Sequence, residues 1–143
     1  MYFGEYEHCL DAKGRIFVPA KLRDALGDRF MVTVGLDNCL FVFDMDTFEQ
    51  YREKISAISI ANPDVRRFAR FFFAGAAECE PDKQGRIVLP SKLREYAHLE
   101  KEVTIVGSSN RVEIWSRDAW NDEYGIEKFS PEEFSDKLQL MGL

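Results

Sequence analysis

The chain has 143 residues, is 45% apolar and carries a net charge of −6, which fits a protein with one ordinary core and disfavours a uniformly basic nucleic-acid binder. No apolar run approaches the roughly 20 residues of a membrane-spanning helix, and no signal peptide is recognisable, so we expect a cytoplasmic protein with no membrane partner. Cys9, Cys39 and Cys79 are odd in number and far apart, which argues against disulfides or a zinc site. We expect them to be buried and reduced, and we expect no metal or cofactor.

The first half of the chain opens with a predicted strand over residues 4–10, a turn that ends at Gly14, and a return strand. These three features predict a β-hairpin. The return strand is apolar at every position from Ile16 to Val18, which predicts burial on both of its faces. Pro19 then begins a short helix over 21–26. Strands over 30–36 and 40–43 follow, and then a helix whose predicted N-cap is Asp46.

The second half repeats this order of elements. It has strands over 75–80, 103–106 and 112–115, a helix over 92–97 and a final helix with Asp118 as its predicted N-cap. Between the halves, Asn62 is predicted to cap a helix that turns Val65, Phe68, Phe71 and Phe72 inward. The tail begins with a predicted capping box from Ser130 to Glu133. Its apolar stripe either covers the core or contacts another subunit.

One segment of the chain is written twice. Residues 11–23 and 82–94 match at eight of thirteen positions. The apolar positions vary, as Phe17 and Val88 do, whereas the Asp, Gly, Arg and Pro positions and the lysine pair Lys21 and Lys92 hold the same residue in both copies. The chain is therefore a duplicated module, and its function is to be sought in the polar residues that the two copies share.

Positive charge is concentrated in this duplicated segment. Each copy carries +3, whereas residues 24–64 and 113–143 each sum to −5. An arginine held beside a turn by an aspartate four residues earlier can read guanine, and nearby lysines and arginines can hold phosphates. The alternative is a plain surface ion pair that closes the turn. The predicted DNA-binding residues are Asp11, Lys13, Arg15, Lys21, Arg23, Asp82, Lys83, Arg86, Lys92 and Arg94, with Gly14 and Gly85 setting the hairpin geometry.

The sequence offers little for catalysis. It has no phosphate-binding glycine loop, no G-x-S-x-G elbow and no H-E-x-x-H motif. His8 and Cys9 have no equivalents at the same positions of the second copy. An arginine close to Asp11 or Asp82 lowers the carboxyl pKa rather than preparing a general base. We therefore expect a protein that is not an enzyme.

The pattern Asp-x-Lys-Gly-Arg-x-x-x-Pro-x-x-x-Arg, which occurs twice, closely resembles the MraZ family of bacterial transcription regulators, and each copy resembles the AbrB/MazE module. The resemblance implies an α+β fold: a pseudo-dimeric, swapped-hairpin β-barrel of two tandem AbrB-like repeats with flanking helices. The expected parts are a first module over 1–60, a connecting helix over 61–72, a second module over 73–125 and a helical tail over 126–143.

The resemblance also implies a function and partners. It implies a nucleoid-associated repressor of the division and cell-wall gene cluster, which reads G-rich tandem repeats in double-stranded DNA as a ring-shaped homo-oligomer. By position, Asp11, Arg15, Asp82 and Arg86 carry the family's DNA-binding motif. The second copy departs from the pattern at Gln84, where the first has Lys13, so a weaker phosphate contact is expected there.

Other assignments remain open from the sequence. Phe134, Leu138 and Met141 are the candidate oligomer interface. The rival function is an antitoxin-like module that clamps a basic toxin with its acidic tail, residues 127–141. A nonspecific architectural DNA binder is the third reading, and the negative net charge disfavours it.

Overall fold

Each repeat contributes four strands to the fold, and helices follow or connect them. The computed structural model describes residues 1–143. The first repeat contains β1 (Glu5–Cys9), β2 (Arg15–Phe17), α1 (Ala20–Leu26), β3 (Phe30–Val34), β4 (Leu40–Asp44) and α2 (Met45–Ala57). The chain continues with α3 (Pro63–Ala74), β5 (Ala77–Cys79), β6 (Arg86–Val88), α4 (Ser91–Tyr96), β7 (Glu102–Gly107), β8 (Val112–Ser116), α5 (Arg117–Tyr124), a 3₁₀ turn (Ile126–Lys128) and α6 (Pro131–Leu140).

The two repeats exchange strands. A six-stranded antiparallel sheet has the order β1-β7-β8-β4-β3-β5, so the first strand of each repeat pairs with the third strand of the other. Strands β2 and β6 form a separate two-stranded antiparallel ribbon. The fold is therefore a mixed α+β arrangement. The large sheet is not closed into a barrel, because β1 and β5 remain its two edges.

The expected β-hairpin in each repeat is wrong in its strand pairing. The turn does form, because the Asp11 N–H donates to the Arg15 carbonyl at 3.0 Å and the Gly14 N–H donates to the Asp11 carbonyl at 3.0 Å. The strands then diverge: β1 forms five residue pairs with β7, and β2 pairs with β6. Each of these two strands is hydrogen-bonded to a strand of the other repeat, which satisfies its backbone N–H and C=O groups.

The repeats share a single core. A cluster of 21 buried residues draws equivalent side chains from both halves, including Ile16 with Ile87 and Leu22 with Leu93. Phe30, on β3, is fully buried in the same cluster. Strand exchange and a common core mean that neither repeat completes its own buried surface.

Two predicted helix caps are displaced by two residues. The Asp44 carboxylate accepts from the Thr47 N–H at 2.7 Å and begins α2, and the Ser116 hydroxyl accepts from the Ala119 N–H at 3.3 Å and begins α5. The predicted caps, Asp46 and Asp118, lie inside the first helical turns instead. A negative charge is also favourable there, which makes these positions hard to tell apart in sequence.

The connecting helix α3 is confirmed at its start but not over its whole apolar face. The Asn62 side chain accepts from the Asp64 N–H at 2.9 Å, as predicted for the cap. Phe72 is buried, but Phe68 and Phe71 remain 42% and 48% exposed, so the prediction that they turn inward is wrong. Phe68 stacks on Phe72 with ring centroids 5.5 Å apart, and Phe71 contacts Tyr96 at 5.4 Å, so both rings pack at the edge of the buried one.

The tail helix α6 covers no part of the core, since none of its residues is buried. This finding excludes the reading of the tail as core cover. The predicted capping box is also wrong: Ser130 makes no capping hydrogen bond, and the Glu133 carboxylate instead accepts from Lys137 Nζ at 2.8 Å.

The cysteines are all reduced, and two of them are buried. Burial raises the thiol pKa of Cys39 to about 12 and that of Cys79 to about 11, so these two are unreactive core residues. Cys9 is exposed, which corrects the expectation for that residue, because its position on edge strand β1 faces away from the core.

No helix has the length and apolar character needed to cross a membrane. No cluster of three or more potential metal ligands is present.

Candidate nucleic-acid interface

The first duplicated turn is organised around one carboxylate. Asp11 Oδ1 accepts from the backbone N–H groups of Lys13 at 2.9 Å and Arg15 at 2.8 Å. Asp11 Oδ2 accepts from Arg15 Nε at 2.6 Å. Gly14 completes the turn with φ of +76°, a backbone angle that residues with a Cβ adopt only at a cost in free energy. One aspartate thus fixes both the turn and the arginine beside it.

The second turn reproduces this geometry. Asp82 Oδ1 accepts from the N–H groups of Gln84 and Arg86, each at 2.9 Å, and Oδ2 accepts from Arg86 Nε at 3.0 Å. Gly85 has φ of +79°. The replacement of Lys13 by Gln84 leaves this network unchanged because only the backbone N–H of that residue takes part.

Both aspartates are held in the ionised state. The backbone N–H of Arg15 is the main cause that lowers the pKa of Asp11, and the backbone N–H of Arg86 does the same for Asp82. The arginine side chains add to this effect through hydrogen bonding and charge. Such carboxylates serve as acceptors and positioning groups rather than as proton carriers.

The arginines keep most of their donors free. Only Nε of each side chain is engaged by its aspartate, and neither Nη atom of Arg15 or Arg86 makes a hydrogen bond. Their side chains are 29% and 31% exposed. The aspartate therefore fixes the orientation of each guanidinium through Nε. The terminal edge, with two parallel N–H groups, remains free to donate hydrogen bonds to a ligand.

The ribbon of β2 and β6 places both arginines on one outer face. Ile16 and Ile87 lie opposite each other and are buried. Because side chains alternate along a strand, Arg15, Phe17, Arg86 and Val88 lie on the other face. Arg15 is paired with Val88, and Phe17 with Arg86. The return strands were expected to be buried on both faces, and this is wrong: Phe17 is only half-buried and Val88 is 58% exposed.

Arg23 and Arg94 support the turns, a role that the sequence did not reveal. Arg23 Nε donates to the Val18 carbonyl at 2.7 Å, and its guanidinium lies against Gly85, where a Cβ would come within 2.7 Å of Arg23 Cζ. Arg94 Nε donates to the Leu89 carbonyl at 3.0 Å. A Cβ at Gly14 would likewise lie 2.9 Å from Arg94 Cζ. Each arginine thus packs on the turn of the opposite repeat.

The remaining predicted residues fall into two groups. The lysines of the duplicated segments are exposed, either in the turns or in the first turn of the helix after the ribbon; they are Lys13, Lys21, Lys83 and Lys92. The apolar tail residues Phe134, Leu138 and Met141 are 48%, 39% and 72% exposed and lie on a separate helix. Positive charge concentrated in the duplicated segments was the signal for the first group, and helical spacing was the signal for the second.

Comparison with known proteins supports the duplication and identifies the family. A family model described as "MraZ protein, putative antitoxin-like" matches residues 1–71 and again residues 72–141. A transcriptional regulator MraZ from Carboxydothermus hydrogenoformans is 54% identical over 138 residues, which cover 96% of each chain. One from Acetivibrio thermocellus is 48% identical over the full length of both chains, and one from Desulfitobacterium hafniense is 56% identical over 85% of each. The chain belongs to the MraZ family.

Proposed function

We propose that this protein is a sequence-specific, DNA-binding transcriptional regulator that reads DNA with Arg15 and Arg86. The observation that carries the proposal is that two equivalent Asp-anchored turns hold two arginines on one face of the β2–β6 ribbon with their terminal N–H groups free. Support comes from the relatives, which are named transcriptional regulators.

The chemistry of each arginine fits guanine. The free edge of the guanidinium presents two parallel donors, and guanine presents the O6 and N7 acceptors side by side in the major groove. Anchoring through Nε reduces the conformational freedom that the side chain loses on binding. Asp11 and Asp82 therefore act as positioning residues. The ribbon itself can enter DNA, since the major groove is wide enough for two strands.

Phosphate contacts would fix the position of the ribbon on the duplex. Lys13, Lys83, Lys21 and Lys92 are exposed in or beside the turns and can bind backbone phosphates on either side of the bases that are read. Arg23 and Arg94 engage carbonyl groups only through Nε, so their terminal amines can also donate to phosphates.

We further propose that the two repeats form a pseudo-dimeric swapped-hairpin module of the AbrB type. The exchange of β1 and β5 between repeats and the pairing of equivalent strands β2 and β6 support this arrangement. In this proposal the two modules span 1–60 and 73–125, the linker spans 61–72 and the tail spans 126–143. In this arrangement one chain presents two equivalent readers.

The operator we propose consists of short G-rich tandem repeats, bound by a ring-shaped homo-oligomer that represses the division and cell-wall gene cluster. A single chain with net charge −6 gains little from counterion release, so several chains bound along one duplex would supply the affinity. The exposed apolar stripe of α6, with Phe134, Leu138 and Met141, is our candidate for the contact between chains. Such a protein would act in the cytoplasm, at the nucleoid.

An antitoxin-like role is the second candidate. The observation that favours it is the exposed tail, residues 127–141, which contains several carboxylates and covers no core. In that case the tail would bind a basic protein partner. The ribbon would then be only a structural feature.

Selection of bound duplexes from a random DNA pool tests the proposal. A DNA-reading regulator enriches a G-rich repeated motif. An antitoxin-like module enriches nothing, and an architectural binder retains DNA without a consensus sequence. Enrichment of a motif without guanine would contradict the assigned role of Arg15 and Arg86.

A further inference from the structure

Val88 is an apolar residue in an unusual position. It lies on the outer face of β6, is 58% exposed and is paired across the ribbon with Arg15. Its chain neighbours Ile87 and Leu89 point the other way and are buried in the core. Core packing therefore does not account for an apolar side chain at position 88.

The equivalent residue of the first repeat has a different environment. Phe17 is half-buried, its ring centroid lies 5.2 Å from that of His8, and Arg23 Cζ lies 5.3 Å from the ring. Val88 is more exposed than Phe17, so the outer face of the ribbon is not symmetric. The Arg15 end offers an open aliphatic group, whereas the Arg86 end offers a partly covered aromatic ring.

We propose that Val88 contacts the 5-methyl group of a thymine next to the guanine bound by Arg15; this inference rests on the proposed function. The thymine methyl is the group on the major-groove edge of a base pair that an aliphatic side chain recognises. Directly opposed side chains on a ribbon are about 4.5–5.5 Å apart at Cβ, close enough for Val88 and Arg15 to reach neighbouring bases. Val88 is therefore a specificity-determining residue for the Arg15 half of the ribbon.

Removal of the thymine methyl tests this contact directly. The probe is the duplex that the full-length protein enriches from a random pool, with each thymine replaced in turn by deoxyuridine, which lacks only that methyl. For the unchanged protein we expect one thymine position in each G-rich repeat of the duplex at which the replacement weakens binding about fourfold. This is the effect expected for the burial of a single methyl group. For Val88→Ala the same replacement should have no effect.

A control variant separates this contact from a general loss of apolar surface. Leu36→Ala removes another exposed aliphatic group, 61% exposed and outside the ribbon, and should keep the sensitivity to deoxyuridine. The inference is overturned if deoxyuridine is tolerated at every position, or if Val88→Ala responds to it as the unchanged protein does. The proposed function stands in both of those cases. If no duplex is enriched at all, the proposed function and this inference fail together.

Discussion

At the scale of single residues, the duplicated turn divides the work between an aspartate and an arginine. Asp11 uses Oδ1 for two backbone N–H groups and Oδ2 for the side chain of Arg15, and Asp82 does the same for Arg86. Replacement of the arginine by lysine would keep the charge but lose both the Nε anchor and the planar edge. This explains why the two copies share Asp and Arg although their apolar residues differ.

The turn should be insensitive to pH in the neutral range and weakened in acid. Because the pKa of Asp11 and of Asp82 is lowered in the folded protein, their stabilisation is fully present above the unfolded value of about 3.9. It is lost as pH falls through the folded values. NMR titration of the two carboxyl carbons should give midpoints below the ordinary range. Midpoints at or above that range would contradict the network described for the turns.

At the scale of elements, the β2–β6 ribbon depends on residues that are distant in sequence. The Val18 N–H donates to the Gly85 carbonyl at 2.9 Å, and the Leu89 N–H donates to the Gly14 carbonyl at 2.9 Å. Arg23 and Arg94 then pack over these glycines. Each turn is thus held by the other repeat, and a change in one turn should affect both.

Glycine substitutions made with and without the covering arginine separate backbone strain from this packing. Gly14→Ala and Gly85→Ala each place a Cβ at positive φ and also push an arginine guanidinium aside. The matched control for Gly14→Ala is the same substitution in the Arg94→Ala background, where the backbone strain remains and the guanidinium is gone. In that background we expect a loss of about 1–2 kcal/mol in unfolding free energy, and a larger loss when Arg94 is present. Equal losses in urea melts would show that the arginine packing contributes nothing.

Deletion of residues 130–143 should leave the fold intact and reduce the assembly. None of the α6 residues is buried, so the melting temperature of the remaining chain should change little once its assembly state is taken into account. Light scattering after size exclusion gives the number of chains per particle. An unchanged number of chains would show that Phe134, Leu138 and Met141 do not form the interface. The exposed apolar surface of α2 and α3 would then be the candidate interface.

At the scale of the whole molecule, local features were predictable from sequence and strand partners were not. The turn, its glycines and the Asn62 cap follow from residues within a few positions of each other, and the structure confirms them. The pairing of β1 with β7 joins segments about a hundred residues apart, for which no local signal exists. The exposure of Val88 was also missed, because a continuous apolar run does not distinguish a buried strand from a ribbon with one open face.

Several chains bound to one duplex should bind it far more tightly than one chain does. We expect DNA with G-rich repeats about one helical turn apart, ~10 base pairs, to gain roughly 10²–10⁴ in affinity over DNA with a single repeat. An insertion of about five base pairs between repeats places them on opposite faces and should remove most of that gain. Gel-shift titration at fixed salt measures the effect. Equal affinity for all three duplexes would mean that the chains do not read DNA together.

The most direct test of the central claim compares three arginine variants in binding and in stability. The duplex selected by the unchanged protein is titrated with each variant at fixed salt, and each variant is also melted. Arg15→Ala and Arg86→Ala should each lose roughly 1–3 kcal/mol of base discrimination while their melting temperatures stay close to that of the unchanged protein. Arg23→Ala, which removes the hydrogen bond to Val18 and the packing on Gly85, should melt at a lower temperature. If Arg15→Ala and Arg86→Ala keep full sequence preference, or lose it only by unfolding, the ribbon is not the DNA-reading surface.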